Sequence, residues 1–291
     1  MTEPEPQNGT QRRLQGHART LCKDIGERTI ARGGLERAEA YILDTFREAG
    51  LAPERQTYFF RGHEVANLIC DTGAAGGNPL VIGAHYDTVP GTEGADDNAS
   101  GVCVLLETAR RLAAQPPEIP VRLVAFTMEE PPAFHTPWQG SRVFCRRLKR
   151  SGERPRAAVV LEMVGYSAPR QHYPLVLSLA GYPKTGDFIG VVGNLRSRRL
   201  VRALKRAFES VEGLPAEQLR VPLNGWILPA TRLSDHSSFW DRGWPAVMVT
   251  DTAFFRNPNY HTPADRMETL DFSLMARVCE GLERAVREFE P

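Results

Sequence analysis

The chain has 291 residues, 42% hydrophobic and 24% charged, with 36 Lys and Arg against 35 Asp and Glu and a net charge of +1. That balance excludes a general electrostatic attraction to nucleic acid or anionic membrane, and no run approaches the roughly 20 apolar residues of a membrane span. Five scattered cysteines (Cys22, Cys70, Cys103, Cys145 and Cys279) form no C-x-x-C pair, which excludes a disulfide scaffold and a thiolate zinc site and fits a reducing compartment.

Residues 1–11 are rich in Glu, Pro, Gln and Gly and are expected to form a disordered tail. The polar stretch from Met1 to Arg13 has no signal-peptide core, so a cytoplasmic location is expected. Leu35, Ala38, Ile42, Phe46 and Ala49 follow helical spacing, and Gly50 supplies the stop. Pro79–Ala84 is an apolar run ending in His85, followed by a helix marked by Val102, Leu105, Leu106, Ala109 and Leu112. Val121–Thr127 is a second strand-like run that leads through Met128 into Glu129 and Glu130, and Ala157–Leu161 is a third, ending at Glu162. Leu175–Leu179 and Ala246–Thr250 read as further strands. Leu200, Leu204 and Phe208 mark one more helix, and Met275, Val278, Leu282, Val286 and Phe289 another.

Continuously apolar strands alternating with helices predict an α/β fold: a single α/β/α sandwich with a central, mostly parallel (mixed) sheet, over residues 12–291 with no dividing linker. Function in such sheets sits at the carboxyl ends of the strands. Three strands here end in His85, in Glu129-Glu130 and in Glu162.

Each polar strand end is ambiguous alone. In His85-Tyr86-Asp87, a carboxylate two residues on can orient a metal-binding imidazole. The loop Gly94-Ala95-Asp96-Asp97-Asn98-Ala99-Ser100-Gly101 can present a bridging carboxylate, or simply cap a helix. Adjacent Glu129 and Glu130 can divide the work of base and ligand. Glu162 at the edge of a core strand needs a partner, either a metal or an arginine. The loop Asn257-Pro258-Asn259-Tyr260-His261-Thr262-Pro263-Ala264-Asp265 is a ligand platform or a capped turn. Together they supply two His, several carboxylates and no Cys, a donor set that suits zinc, with manganese or cobalt as substitutes.

The order of these segments resembles the co-catalytic di-zinc aminopeptidase family, which includes glutamate carboxypeptidase and has glutaminyl cyclase as a relative. The matching segments run from about Leu80 to His261. The resemblance implies two zinc ions per chain. His85 and Glu162 would hold one, Glu130 and His261 the other, and Asp97 would bridge them. It further implies that Asp87 orients His85, that Glu129 is the general base acting on a water between the metals, and that Tyr260 hydrogen-bonds the tetrahedral oxyanion. A cis peptide between Asp97 and Asn98 is also implied. Many family members carry Asp where this chain has Glu162, a position that helps receive the substrate amine.

The expected activity is a metal-dependent exopeptidase, an aminopeptidase acting on peptide substrates. The alternatives are a carboxypeptidase or dipeptidase on the same site, with Arg232 or Arg256 receiving a carboxylate, a glutaminyl-cyclase-like acyltransferase, and a binding module that has lost catalysis. The Ser234-Asp235-His236 segment lacks a G-x-S-x-G elbow, which argues against a serine triad; the resemblance implies that this segment lies beside the active site, with His236 in the pocket and not a ligand. Trp226, Phe239, Phe254 and Phe255 are candidates for an apolar side-chain pocket. The basic run Arg196–Arg206 is expected to be a solvated helix face.

Overall fold

The computed structural model describes residues 7–173 and 181–289. Eight strands form one sheet: β1 (Glu54–Phe60), β2 (His63–Gly73), β3 (Leu80–His85), β4 (Pro120–Phe126), β5 (Ala157–Leu161), β6 (Ile189–Asn194), β7 (Ala216–Val221) and β8 (Ala246–Thr250). Their spatial order is β1-β2-β4-β3-β5-β8-β6-β7. The central β4-β3-β5-β8 pairings are parallel, as is β6-β7, while β1-β2, β2-β4 and β6-β8 are antiparallel.

The helices are α1 (Gln7–Arg19), α2 (Gly34–Glu48), α3 (Gly101–Ala114), α4 (Gly140–Ser151), α5 (Arg198–Glu209), the short α6 (His236–Trp240) and α7 (Phe272–Arg287). Strand side chains alternate between two cores. Leu80, Ile82, Leu123 and Val159 join the core under α1, α2, α3, α5 and α7. Val81, Val124 and Ala158 join the core under α4 and α6, with Phe144, Phe239 and Trp240. A sheet covered on both faces explains why its central strands read as unbroken apolar runs.

The N-terminal expectation needs correction. Residues 7–11 begin α1, where Thr10 is buried and accepts hydrogen bonds from Arg13 and Arg111. The stretch looks polar, but Leu14, Ala18 and Leu21 just beyond it are fully buried and anchor the helix. The expected strand Leu175–Leu179 lies outside the described residues. The basic run on α5 is a solvated face, with Arg198, Arg199, Arg202 and Arg206 exposed.

Candidate metal centre

The parallel register sets the ends of three neighbouring strands side by side. His85 closes β3 opposite Phe126 of β4, so Glu129 and Glu130 follow a few residues beyond, and Glu162 directly follows β5. Asp97 arrives on the turn before α3, in which the Asp97–Asn98 peptide is cis. His261 arrives from the loop beyond β8 with a left-handed φ of 57°. The turn requires Gly94, whose φ is +55° and where a Cβ would lie 2.5 Å from the Asp97 carbonyl oxygen.

These residues converge on Asp97. One Asp97 oxygen is 3.3 Å from His85 Nε2, and the other is 3.1 Å from His261 Nε2. Glu162 Oε1 is 3.5 Å from His85 Nε2, and Glu130 Oε2 is 3.4 Å from His261 Nε2. Ligand atoms about 2.0–2.1 Å from a tetrahedral ion lie ~3.3 Å apart, so each group is spaced as donors to a common cation. His85, Asp97 and Glu130 also offer ligand atoms all within 4.8 Å of one another, so Glu130 adjoins both groups. His85 Nε2 and Glu130 Oε1 are buried with no hydrogen-bond partner. Orphaned buried polar atoms are costly, and a bound cation would satisfy both. Glu129 Oε2 is farther from His85 Nε2, at 3.9 Å.

The electrostatics reflect a concentration of buried carboxylates. Burial, reinforced by Glu162 and Glu130, pushes the Glu129 carboxyl well up against the opposing pull of His85. Burial and Asp97 raise Glu130 to about 8. Burial opposes charge on His261, but Asp97 and Glu130 outweigh it and lift the imidazole to about 10. For Asp97 burial is likewise outweighed, by the imidazoles of His261 and His85 that face its two oxygens, and its carboxyl sits below the ordinary range. Glu129, Glu130 and His261 thus draw protons, as expected where buried carboxylates are gathered closely enough to suit a cation.

The polar shell around these candidate ligands was largely hidden from sequence reasoning. Asp87 does more than adjoin His85. Its two carboxylate oxygens accept the backbone N–H groups of Glu129 at 3.0 Å and Glu130 at 2.9 Å. His85 Nδ1 faces the main-chain oxygen of Asp87 at 3.2 Å and its carboxylate at 3.7 Å. Asp265 accepts the backbone N–H groups of both Asp96 and Asp97. Asp96 accepts from Gly165 N and Asn257 Nδ2 and points away from the centre. Ser234 donates to Glu162 Oε2 at 2.6 Å. Arg28 is fully buried and its guanidinium donates to main-chain oxygens, chiefly those of Tyr86, Glu93 and Gly94 at 2.7, 2.6 and 2.8 Å, so it ties the His85 segment to the Asp97 turn. A lone Arg in a polar N-terminal stretch gives no sequence signal for this role.

An apolar cleft of about 100 Å³ opens beside Glu162 and Tyr260, lined by Phe254, Phe255, Leu228, Leu233 and Met248 among others. Tyr260 is stacked on His261 with ring centroids 3.8 Å apart. Of the expected pocket aromatics, Phe254 and Phe255 line this cleft, whereas Phe239 is a core residue and Trp226 is an exposed ring over the Arg232 guanidinium. His236 is buried edge-on against Trp240 and bonds to the Thr231 oxygen, away from the ligands. Burial drives its pKa down to about 3. Arg232 is committed to Asp241 and the Asn224 oxygen, and Arg256 to Gln171 and the Phe188 oxygen, so neither is presented to a substrate carboxylate.

Among the described residues no helix is long and apolar enough to cross a membrane. The chain is 38% identical over 290 residues to the Escherichia coli (strain K12) protein titled uncharacterized protein YfbL, covering 95% of this chain and 88% of that one. It is 24% identical to leucine aminopeptidase 1 of Fusarium vanettenii over 267 residues, 85% of this chain but 61% of that relative. Among solved structures, LapB of Legionella pneumophila superposes with a TM-score of 0.75 at 19% identity, covering 97% of this chain and 74% of that one. A glutaminyl cyclase of Bacteroides thetaiotaomicron superposes with a TM-score of 0.72 at 17% identity, covering 99% of both chains. These two show the shared fold. The family model for peptidase family M28 matches residues 67–286, a span that contains every residue of the acidic centre, and the chain belongs to that family.

Proposed function

We propose that the chain is a metal-dependent exopeptidase, an aminopeptidase that holds two zinc ions and hydrolyses the N-terminal peptide bond. The observation that carries this reading is Asp97, whose two oxygens each face a different histidine at 3.3 and 3.1 Å. His85 and Glu162 would hold one ion, His261 and Glu130 the other, with Asp97 between them. Zinc, when bound, supplies Lewis acidity, lowering the pKa of water toward neutrality and polarising a carbonyl.

The remaining steps fall to the chain itself. Glu129 is buried at the centre, and its raised proton affinity suits a general base. It takes a proton from the attacking water and returns it to the leaving amine nitrogen. Tyr260 stays protonated because burial raises its pKa, and its stacking on His261 fixes the ring. Its hydroxyl donates to the developing oxyanion. Glu162, held by Ser234, faces both His85 and the apolar cleft, so it sits where a substrate amine and its first side chain would enter. The cleft's apolar lining favours a large apolar first residue. Relatives titled leucine aminopeptidase support the same reading.

The test is cleavage of an aminoacyl-anilide panel by the zinc-loaded protein. Turnover of leucyl and phenylalanyl substrates is expected, and Glu129→Ala should lose at least ~10³-fold in kcat with its metal content retained. Activity surviving in that variant would remove Glu129 from the mechanism. Ammonia release from an N-terminal glutamine substrate, without amide hydrolysis, would point to cyclase chemistry instead.

A further inference from the structure

A second cavity, of about 310 Å³, adjoins the centre and shares no lining residue with the apolar cleft. It is lined by Asp87, Met128 and Glu130 from the centre and by Arg61 and His63 from the β1–β2 hairpin. Arg61 and Gly62 are the whole loop of this hairpin, since Phe60 pairs directly with His63. Both loop residues have positive φ, 49° for Arg61 and 84° for Gly62, as in a type I′ turn. That turn favours Asn, Asp or Gly at its first position, and a long side chain there is locally disfavoured.

Among the described residues no ion pair or hydrogen bond of its side chain compensates for it. Arg61 is exposed, and its one contact of note among the described residues is the Phe60 ring, 5.4 Å below its guanidinium. The other arginine lining this cavity, Arg28, is committed to main-chain oxygens. A residue that departs from local preference without structural return points to function. The turn itself is rigid, because the hairpin is short, paired along its length and tied to the core by the Tyr86 hydroxyl on the Ala66 oxygen.

The two cavities share no lining residue, and each reaches a different part of the candidate ligand set, Glu162 with Tyr260 in one and Glu130 with Asp87 in the other. A peptide with its first side chain in the apolar cleft sends its second residue, the leaving residue, toward the Glu130 side. We infer that Arg61 is a specificity-determining residue that receives a carboxylate carried by the leaving residue of the substrate. The inference rests on the exopeptidase reading. The carboxylate is either the C-terminus of a dipeptide or an acidic side chain on a longer one. A guanidinium suits it, since its fork of donors matches a carboxylate and its charge is permanent.

The experiment compares kcat/KM for Leu-Ala, Leu-Ala-amide and Leu-Glu-amide on the zinc-loaded enzyme and on Arg61→Asn and Arg61→Lys. The wild type should favour at least one carboxylate-bearing substrate over Leu-Ala-amide by fivefold or more, mainly through KM, and the preference should fall in 1 M salt. Preference for Leu-Ala assigns the terminal carboxylate, and preference for Leu-Glu-amide assigns the side chain. Arg61→Asn, which suits the turn, should raise Tm while bringing the ratios within twofold of one, and Arg61→Lys should keep part of the preference. Turnover without preference in the wild type, or a preference intact in Arg61→Asn, would overturn the inference. Failure to cleave any of the three would overturn the exopeptidase reading and the inference with it.

Discussion

Replacing Asp87 with Asn isolates the most economical positioning device in the centre. The carboxylate is buried and splits its oxygens between Glu129 N at 3.0 Å and Glu130 N at 2.9 Å. An asparagine has the same shape but only one oxygen, so one N–H keeps its acceptor while the other meets an NH₂ donor. A lost hydrogen bond to a charged group costs about 1.5–3 kcal/mol, which is roughly 10–150-fold in an equilibrium or rate. His85 should keep its orientation, because its Nδ1 lies nearer the main-chain oxygen of Asp87, at 3.2 Å, than the carboxylate, at 3.7 Å. The damage should therefore fall on Glu129 and Glu130. The expected result is a kcat lower by ~10–100-fold with KM nearly constant, and a similar loss of metal affinity by calorimetric titration. Asp87→Ala, which leaves both N–H groups unpaired, should be worse than Asp87→Asn. An Asp87→Asn enzyme within twofold of wild type in both kcat and metal affinity would refute this account of Asp87.

Three further outcomes follow from the same geometry. Arg28→Met strands the Tyr86 and Glu93 oxygens at ~1–3 kcal/mol each, while Gly94 O keeps the Ala99 N–H; urea unfolding should show a loss of about 2–5 kcal/mol, and a loss under ~0.5 would contradict the role given to Arg28. The His85 side chain is 1% exposed and the His261 side chain 32%, so chelator should strip the metal in two phases, the His261 side first, and a single phase would count against that asymmetry. Glu107 is held at about 2 because hydrogen bonds from Arg110 and Arg13 outweigh burial. A depressed carboxyl stabilises the fold above its unfolded pKa and loses that contribution as pH falls, so Glu107→Gln should cost on the order of 3 kcal/mol at pH 7, a gap that closes between about pH 4.5 and 2; a gap independent of pH would contradict the ion-pair account.

The central parallel strands were legible because burial on both faces leaves them almost purely apolar, and Ala157–Leu161 and Ala246–Thr250 match β5 and β8 in extent. Strands toward either end of the sheet were not. β1 opens on Glu-Arg-Gln-Thr-Tyr, of which only Gln56 is buried, and Gly190 and Gly193 break the apolar run of β6. α4 also escaped notice, its apolar stripe of Val143, Phe144 and Leu148 diluted by five basic residues. The acidic centre was legible as a set of strand ends, since a carboxylate after an apolar strand needs a partner. Its support was not, because Asp265, Ser234 and Arg28 act through contacts distant in sequence, most of them to main-chain atoms that carry no residue identity. The same holds for Arg61, whose interest lies in a turn geometry visible only once Phe60 is paired with His63.

The central claim is that Asp97 joins two cation sites. Elemental analysis of zinc per chain, on protein purified without chelator and dialysed free of loosely held metal, tests it most directly. The account predicts two zinc ions in the wild type and one in His261→Ala, with the fold intact by circular dichroism. A wild type that binds one ion, or none after careful reconstitution, would contradict it.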